Sequence, residues 1–452
     1  MHRGAGIRSP DAPVSLQMTS RRPTRLPSVS TTIAVVLTLL LSAPLRAQNP
    51  RRTPSDTLSQ RVRDSLIAAV LADTLDLEAD TLSLLPSPAP LRQTFTIRPT
   101  IRVYSIGNVN ASEQASYAGW VGRWRHATLR LNLTPVSYTG DTSTTTTDRP
   151  QVGFSGVSPI SGRLDVPLRR ADTLRVFAQS ASFPGALSTI DAQALGAVGT
   201  STIDLDAGAL GIAARTGVRY TLTQALNDSG VVLTFRGGVE YDPKPSGTEA
   251  VSWRGATLRG GVGIGRTVND GAIGLSVEFT KSYADSLGGR NLFPGGGTLS
   301  FETRLIRYFG AEQAGFFTLN GFYTKPINIQ RPDVATRIIP IGDFIGATAA
   351  LAIPAGRVTF LPLLTVLRET SNASAIVSGR TTTLTANGQT GAVSLGLSIP
   401  LGHVVTITPE VGGAFGNVGQ TVSAQFPRRV LRRSFSDPIR GGWFSLEFSV
   451  TR

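Results

Sequence analysis

From Thr94 onward the chain repeats one pattern: segments of about ten to fourteen residues in which apolar and polar side chains alternate, separated by turn-forming residues. A period of two sends successive side chains to opposite faces of an extended strand. Phe95, Ile97, Ile101 and Val103 alternate with Thr94, Thr96, Arg98, Thr100 and Arg102, and Leu129, Leu131 and Leu133 with Thr128, Arg130 and Asn132. The same rhythm returns at Leu233, Phe235, Val239 and Tyr241, at Ile273, Leu275, Val277 and Phe279, at Leu299, Phe301 and Leu305, and at Val393, Leu395, Leu397 and Ile399. Such a chain is committed to β-sheet with one greasy and one polar face.

Two β architectures satisfy alternation. In a soluble sandwich the strands average about five or six residues. The segments here are twice that, the span a tilted strand needs to cross hydrocarbon. Their connections also alternate in length. Short ones fall near 170–172, 225–229, 267–270, 310–312, 354–355 and 401–402, and long polar or Gly-rich ones near 139–157, 184–200, 285–296, 326–342, 370–388 and 417–440. Short turns on one rim and long loops on the other characterise a membrane barrel, and nothing in a sandwich calls for them. Closure leaves no open sheet edge, which hydrocarbon would not tolerate. The expected fold is therefore an all-β, transmembrane antiparallel β-barrel occupying 93–452. It has sixteen strands if 94–106 and 116–125 form the first hairpin with a tight turn at His126, and fourteen if that region is irregular.

Residues 1–47 carry a targeting pattern. Arg21, Arg22 and Arg25 form a basic region, Ile33 to Leu41 an apolar run, and Pro44-Leu45-Arg46-Ala47 precedes a cut before Gln48. The run is far shorter than the roughly 20 residues of a spanning helix, so it reads as a signal peptide for Sec export. In 48–92, Leu58, Val62, Leu66, Ile67 and Val70 recur at helical spacing, and Pro86, Pro88 and Pro90 follow. This is a short helix and Pro-rich linker, either periplasmic or folded into the barrel lumen.

At the carboxyl end Phe444, Leu446, Phe448 and Val450 alternate with Ser445, Glu447, Ser449 and Thr451. Here the chain resembles bacterial outer-membrane β-barrel proteins of Gram-negative cells, whose last strand is an alternating assembly signal; Arg452 departs from the usual aromatic terminus. Gly162-Arg163-Leu164-Asp165, Leu174-Arg175-Val176, Phe183-Pro184 and Gly199-Thr200-Ser201 before Asp204 are similar to hairpins and loops of aromatic-hydrocarbon uptake channels. The likeness implies a barrel architecture and a transport role, with no binding residue carried over.

The chain has no Cys, which excludes a disulfide scaffold, a Cys-ligated metal or cluster and a thiol nucleophile. Beyond the leader only His126 and His403 remain, each on an expected turn, with no neighbouring acid and no serine in a nucleophile elbow. No enzymatic activity, catalytic residue, metal site or cofactor is assigned. Gly261-Val262-Gly263-Ile264-Gly265 precedes no helix, so it reads as a strand needing room on its polar face and not as a dinucleotide loop.

The arginines are the informative distribution. Arg98, Arg102, Arg130, Arg175, Arg219, Arg236, Arg259 and Arg304 all take the polar phase, as do Glu240, Glu278 and Glu302. In a barrel these line the pore, either as neutralised pairs or as a cationic wall that favours anions. A second basic group, Arg428, Arg429, Arg432 and Arg433, falls in the last long loop, where it would meet lipopolysaccharide phosphates, narrow the pore or remain solvated. The expected function is a porin-like passive channel or facilitator for small solutes; a structural or assembly barrel without conductance is the first alternative and an outer-membrane enzyme the more remote one. The expected partners are outer-membrane lipid and lipopolysaccharide, the barrel assembly machinery and small solutes, with no nucleic acid.

Overall fold

The computed structural model describes residues 92–124, 127–141, 151–168, 172–183, 214–226, 230–241, 256–268, 270–282, 286–287, 290–291, 296–310, 314–327, 343–377, 380–426 and 429–452. The expected leader, the 48–92 helix and linker (Arg92 apart) and His126 lie outside these residues.

One sheet of antiparallel strands closes on itself. Its strands, numbered here by their place around the wall, begin with β1 (Arg92–Ile106) and β2 (Val109–Trp124). β3 comes in two pieces, Ala127–Leu133 and Pro135–Asp141, both paired with β2, and β4 in two more, Gln151–Val157 and Ser161–Pro167, which pair with those of β3. Then follow β5 (Asp172–Gln179), β6 (Arg215–Leu226), β7 (Val231–Tyr241), β8 (Ala256–Val268), β9 (Gly271–Ser282) and β10 (Gly296–Phe309). The circuit is completed by β11 (Gly315–Ile327), β12 (Phe344–Ala355), β13 (Val358–Val377), β14 (Arg380–Leu401), β15 (Val405–Phe426) and β16 (Arg429–Thr451). The wall thus has sixteen strands, closed by β16 against β1 from Thr94↔Thr451 to Ile106↔Ile439. At the seam Gln93 and Arg452 each donate a backbone N–H to the other's carbonyl, both at 2.9 Å.

The alternation read from sequence sorts the side chains. Phe95, Ile97, Ile101, Val103, Phe235, Val239, Ile273, Leu275, Phe279, Val393, Leu395, Phe444 and Phe448 stand on the outer face, each 38–58% exposed. Their in-between neighbours face inward, where Thr100, Glu113, Thr234, Glu240, Ser276, Asn320 and Ser445 are buried. This is the reverse of a water-soluble protein.

One sector inverts even this arrangement. Toward the rim opposite the termini, the outward residues of β2, β3 and β4 are Asn110, Ser112, Gln114, Ser116, Ser137, Thr139 and Ser155, all exposed. Behind them a cluster of Tyr104, Ile106, Ala111, Ala115, Val136, Tyr138, Ala414 and Ile439 is buried. There the wall behaves as an ordinary globular protein does, with its apolar side turned in.

The inversion explains a correction to the sequence reading. The first hairpin turns at Gly107-Asn108, not near His126, and pairs Arg92–Ile106 with Val109–Trp124. Residues 109–115 escape the apolar count because Ala111, Glu113 and Ala115 face inward while polar residues face out. Gly107 has φ of 58°, a conformation that side chains with a Cβ adopt at a cost. The long connections expected at 370–388 and 417–440 are also largely strand: Val358–Val377 with Arg380–Leu401, and Val405–Phe426 with Arg429–Thr451. Thr381, Thr382, Thr383 and Thr385 look like loop by polarity, yet threonine is β-branched and suits an extended ladder. Of the last basic group, Arg429, Arg432 and Arg433 therefore lie in β16, not in a loop.

Candidate functional site on the inner wall

The inner face of β3–β8 gathers the arginines. On β4, Arg163 donates from Nε to Asp165 at 2.8 Å, and Arg175 of β5 reaches the other oxygen of the same carboxylate, also at 2.8 Å. Arg175 and Arg219 are direct partners across β5 and β6. Arg219 lies over the Phe177 ring, 5.6 Å from its centroid, and donates to Glu240 of β7 at 2.5 Å. Arg259 of β8 meets Glu240 through Nε at 2.6 Å and Nη2 at 3.2 Å, and Glu278 of β9 through Nη1 at 3.1 Å. Charge-assisted bonds of this kind are short and orient both partners.

The backbone makes room for these long side chains. Gly238 faces inward beside Arg219, where a Cβ would stand 2.8 Å from Arg219 Cγ. A larger residue would push the guanidinium off its course to Glu240. Gly261 and Gly263 also face inward, between Arg236 and Glu278 and between Thr234 and Ser276. They are lumen-side strand glycines, with no phosphate loop formed around them.

Within this network four guanidinium groups, Arg163, Arg175, Arg219 and Arg259, share three carboxylates, Asp165, Glu240 and Glu278. Arg130 faces inward as the direct partner of Arg163, Arg236 between Thr221 and Gly261, and Arg304 between Gly274 and Asn320; Glu302 faces inward beside Ser276. Among the described residues this arc carries excess positive charge.

The arginines of β1 stand in different company. Arg102 donates to Glu113 at 2.5 Å, and the Glu113 side chain has no exposure at all. Arg98 lies over Tyr117, 5.5 Å from its centroid. Nearby, Glu410 accepts from Trp443 Nε1 at 3.2 Å and from Ser445 at 3.5 Å, and Glu447 faces the same side of the seam. Three carboxylates, Glu113, Glu410 and Glu447, accompany Arg98 and Arg102 here, and Tyr138 of the apolar cluster stands directly opposite Glu113.

The structure thus joins Arg175, Arg219, Glu240, Arg259 and Glu278, and leaves Arg98 and Arg102 on the closing seam. Sequence reasoning passed over Arg163 and Asp165 as a turn-like motif, although both hold the polar phase of a seven-residue strand. It also passed over Glu113, because its strand lacks an apolar face. His403 sits in the tight turn after β14, as expected. The segments behind the hydrocarbon-channel likeness form β4 and β5 in part; residues 184–213 lie outside the described residues.

No protein-family model matches the chain, and no curated protein does. Among solved structures, the high-pH form of Pseudomonas putida OprB is similar at 10% identity and a TM-score of 0.42, over 80% of this chain and 94% of that one. OmpT folded in vitro, an outer membrane protein of Vibrio cholerae, is similar at 12% identity and 0.39, over 81% and 99%. An anion-selective porin from Comamonas acidovorans follows at 11% identity and 0.35, over 79% and 99%. Identity this low places the chain in no family.

Proposed function

We propose that this protein is a bacterial outer-membrane channel that passes small solutes passively and prefers anions. The observation that carries the reading is the inside-out closed wall: apolar side chains cover most of the exterior of an antiparallel sheet with no open edge, and polar and ionised side chains most of its interior. A hydrocarbon surround is the environment in which that arrangement is stable, because the closed ladder satisfies the backbone and the apolar face meets lipid. Sixteen strands enclose enough width for water. The Arg130–Arg304 arc gives the wetted interior a positive potential, which concentrates anions and repels cations.

The amino-terminal basic and apolar regions support Sec export and removal of residues 1–47. The alternating final strand supports handling by the barrel assembly machinery, and the proposed partners in place are outer-membrane lipid and lipopolysaccharide. A second reading, a filled barrel with a structural role, is favoured by one observation: Tyr138 and Ile439 face inward at only 1% exposure. Single-channel recording in planar bilayers separates the two. Discrete conductance steps with a reversal potential displaced toward anions under a KCl gradient are expected. A folded barrel without conductance would establish the filled reading, and a displacement toward cations would remove the arginine argument.

A further inference from the structure

The lumen phase is not polar all the way around. On the neighbouring strands β11–β13, Phe322, Phe344, Leu361, Leu363 and Leu367 take inward positions. Their direction follows from the outer face, where Phe301 and Tyr323 stack at 6.2 Å and Phe360 and Leu364 are exposed, because residues one position along point the other way. Phe322 and Phe344 stack at 5.2 Å, and both Phe322 and Leu367 lean over Gly346, where a Cβ would lie 2.5 Å from Phe322 Cζ and 3.0 Å from Leu367 Cδ1. The charged groups paired directly with this wall are carboxylates: Glu302 stands opposite Phe322 and Glu369 opposite Phe344. Next to it β14 turns small side chains inward, with Ala392, Ser394 and Gly396 opposite Thr365, Leu363 and Leu361. These residues make a shallow apolar groove with acids at its end farther from the short-turn rim. Phe322, Phe344, Leu361 and Leu363 are only half-buried in it.

Apolar surface on a wetted interior stays unfavourable until something covers it. The chain carries a cover of matching length and charge. Leu58, Val62, Leu66 and Val70 recur every four residues, a helical stripe about 18 Å long, and Leu361 to Leu367 spans about 20 Å of strand. The two rows flanking that stripe carry Arg61 and Arg63, while Asp64 falls on the row opposite it. Cations therefore border the apolar face of the segment, and carboxylates border the groove. The segment also reaches. β1 and β13 start on the same rim, at Arg92 and Val358, four strands or about 19 Å apart around the wall. Residues 73–91 span up to about 60 Å even as a polyproline-like chain. Such a tether holds the segment near the groove at an effective concentration in the millimolar range.

We propose that residues 58–72 dock as a helix along the β11–β14 groove, with Leu58, Val62, Leu66 and Val70 against Leu361, Leu363 and Phe322 and the arginines toward Glu302 and Glu369. Docked there, the helix narrows the lumen from one side and leaves the aqueous path against the arginines of β4–β8. This deepens the channel reading and rests on it for the effect on current, though not for the docking.

The chain has no Cys, so engineered pairs read without background. In outer membranes of cells making the full chain, Leu66→Cys is combined either with Leu363→Cys in the groove or with Thr221→Cys on the inner face of β6. A protease site is placed within 74–85 and a short bis-maleimide is added. After cleavage the amino-terminal fragment is expected to stay with the barrel on denaturing gels at least fivefold more in the Leu363 pair than in the Thr221 pair. Adding Val62→Glu with Val70→Glu is expected to lower the Leu363 yield at least fivefold. No cross-link at Leu363, equal yields at both positions, or a yield that the added acids leave unchanged overturns the docking. Removing residues 48–85 is expected to raise single-channel conductance and lower the anion preference, and unchanged current overturns the narrowing. Cross-linking at Leu363 with no KCl current before or after that removal would instead strike the channel reading and leave the docking standing.

Discussion

The seam of the barrel and its arginine arc are built from the same residue types and do different things. On β1, β2 and β16, Arg102 and Glu113 form a pair whose carboxylate is shut off from water, and an apolar cluster including Tyr138 and Ile439 covers it. On β4–β8 the side chains of Arg163, Arg175, Arg219 and Arg259 are 13–24% exposed, a range that includes the 15% of Arg102, but the carboxylates they share are not shut off: Asp165 keeps 15%, Glu278 12% and Glu240 5% of its side chain exposed, against none for Glu113. Sealed, an ion pair serves the wall; open and with arginines in excess of acids, it sets a potential that a solute can feel. The difference lies in the neighbours. Ala111, Ala115 and Val136 let the seam close down, whereas inward Gly238 and Gly261 hold the arc open enough for extended guanidiniums.

The largest effect that would sharpen this contrast is at the seam. Arg102→Gln takes away the guanidinium 2.5 Å from a carboxylate that water cannot reach, at a cost of about 3–5 kcal/mol. The urea midpoint of the refolded barrel should fall accordingly, and Glu113→Gln added to it should restore part of the loss. An unchanged midpoint would mean the pair is not sealed. Next in size, Phe235→Arg on the outer face should cost about 2–4 kcal/mol near the bilayer midplane and reduce assembly into membranes. Normal assembly would remove the lipid-facing assignment of β7.

The smallest effect tests the comparison most directly. Arg219→Gln with Arg259→Gln should move the reversal potential toward cations, changing the anion-to-cation permeability ratio by a factor of roughly two to five, equivalent to about 1 kcal/mol or less. Arg98→Gln should move it much less, because Arg98 lies on Tyr117 in a sector where Glu113, Glu410 and Glu447 offset the arginines. Equal shifts would mean that the seam and the arc see the same water.

How far the sequence reaches can be read from particular strands. Around Leu275 and Phe235 the alternation is strong because lipid demands apolar residues and an occupied polar lumen demands the opposite, so face, phase and strand are legible together. At 109–115 neither environment applies. The strand rises beyond the apolar belt, its outward side is polar, and its inward side is small or ionised; the pattern vanishes while the backbone ladder continues. At Phe360 to Leu364 the reverse happens, with apolar residues on both faces, so the sequence gives no sign of which leucines turn inward.

By itself, then, the sequence determined the sheet, the phase of most strands and the side on which the arginines fall, because a period of two is a local property of the chain. Which arginine meets which acid depends on register between strands. Asp165 binding both Arg163 and Arg175, and Glu240 binding both Arg219 and Arg259, needed the tertiary structure. So did the division into a sealed seam and an arginine arc. Those relations join residues tens to hundreds of positions apart, brought together only when Thr94 and Thr451 close the ring.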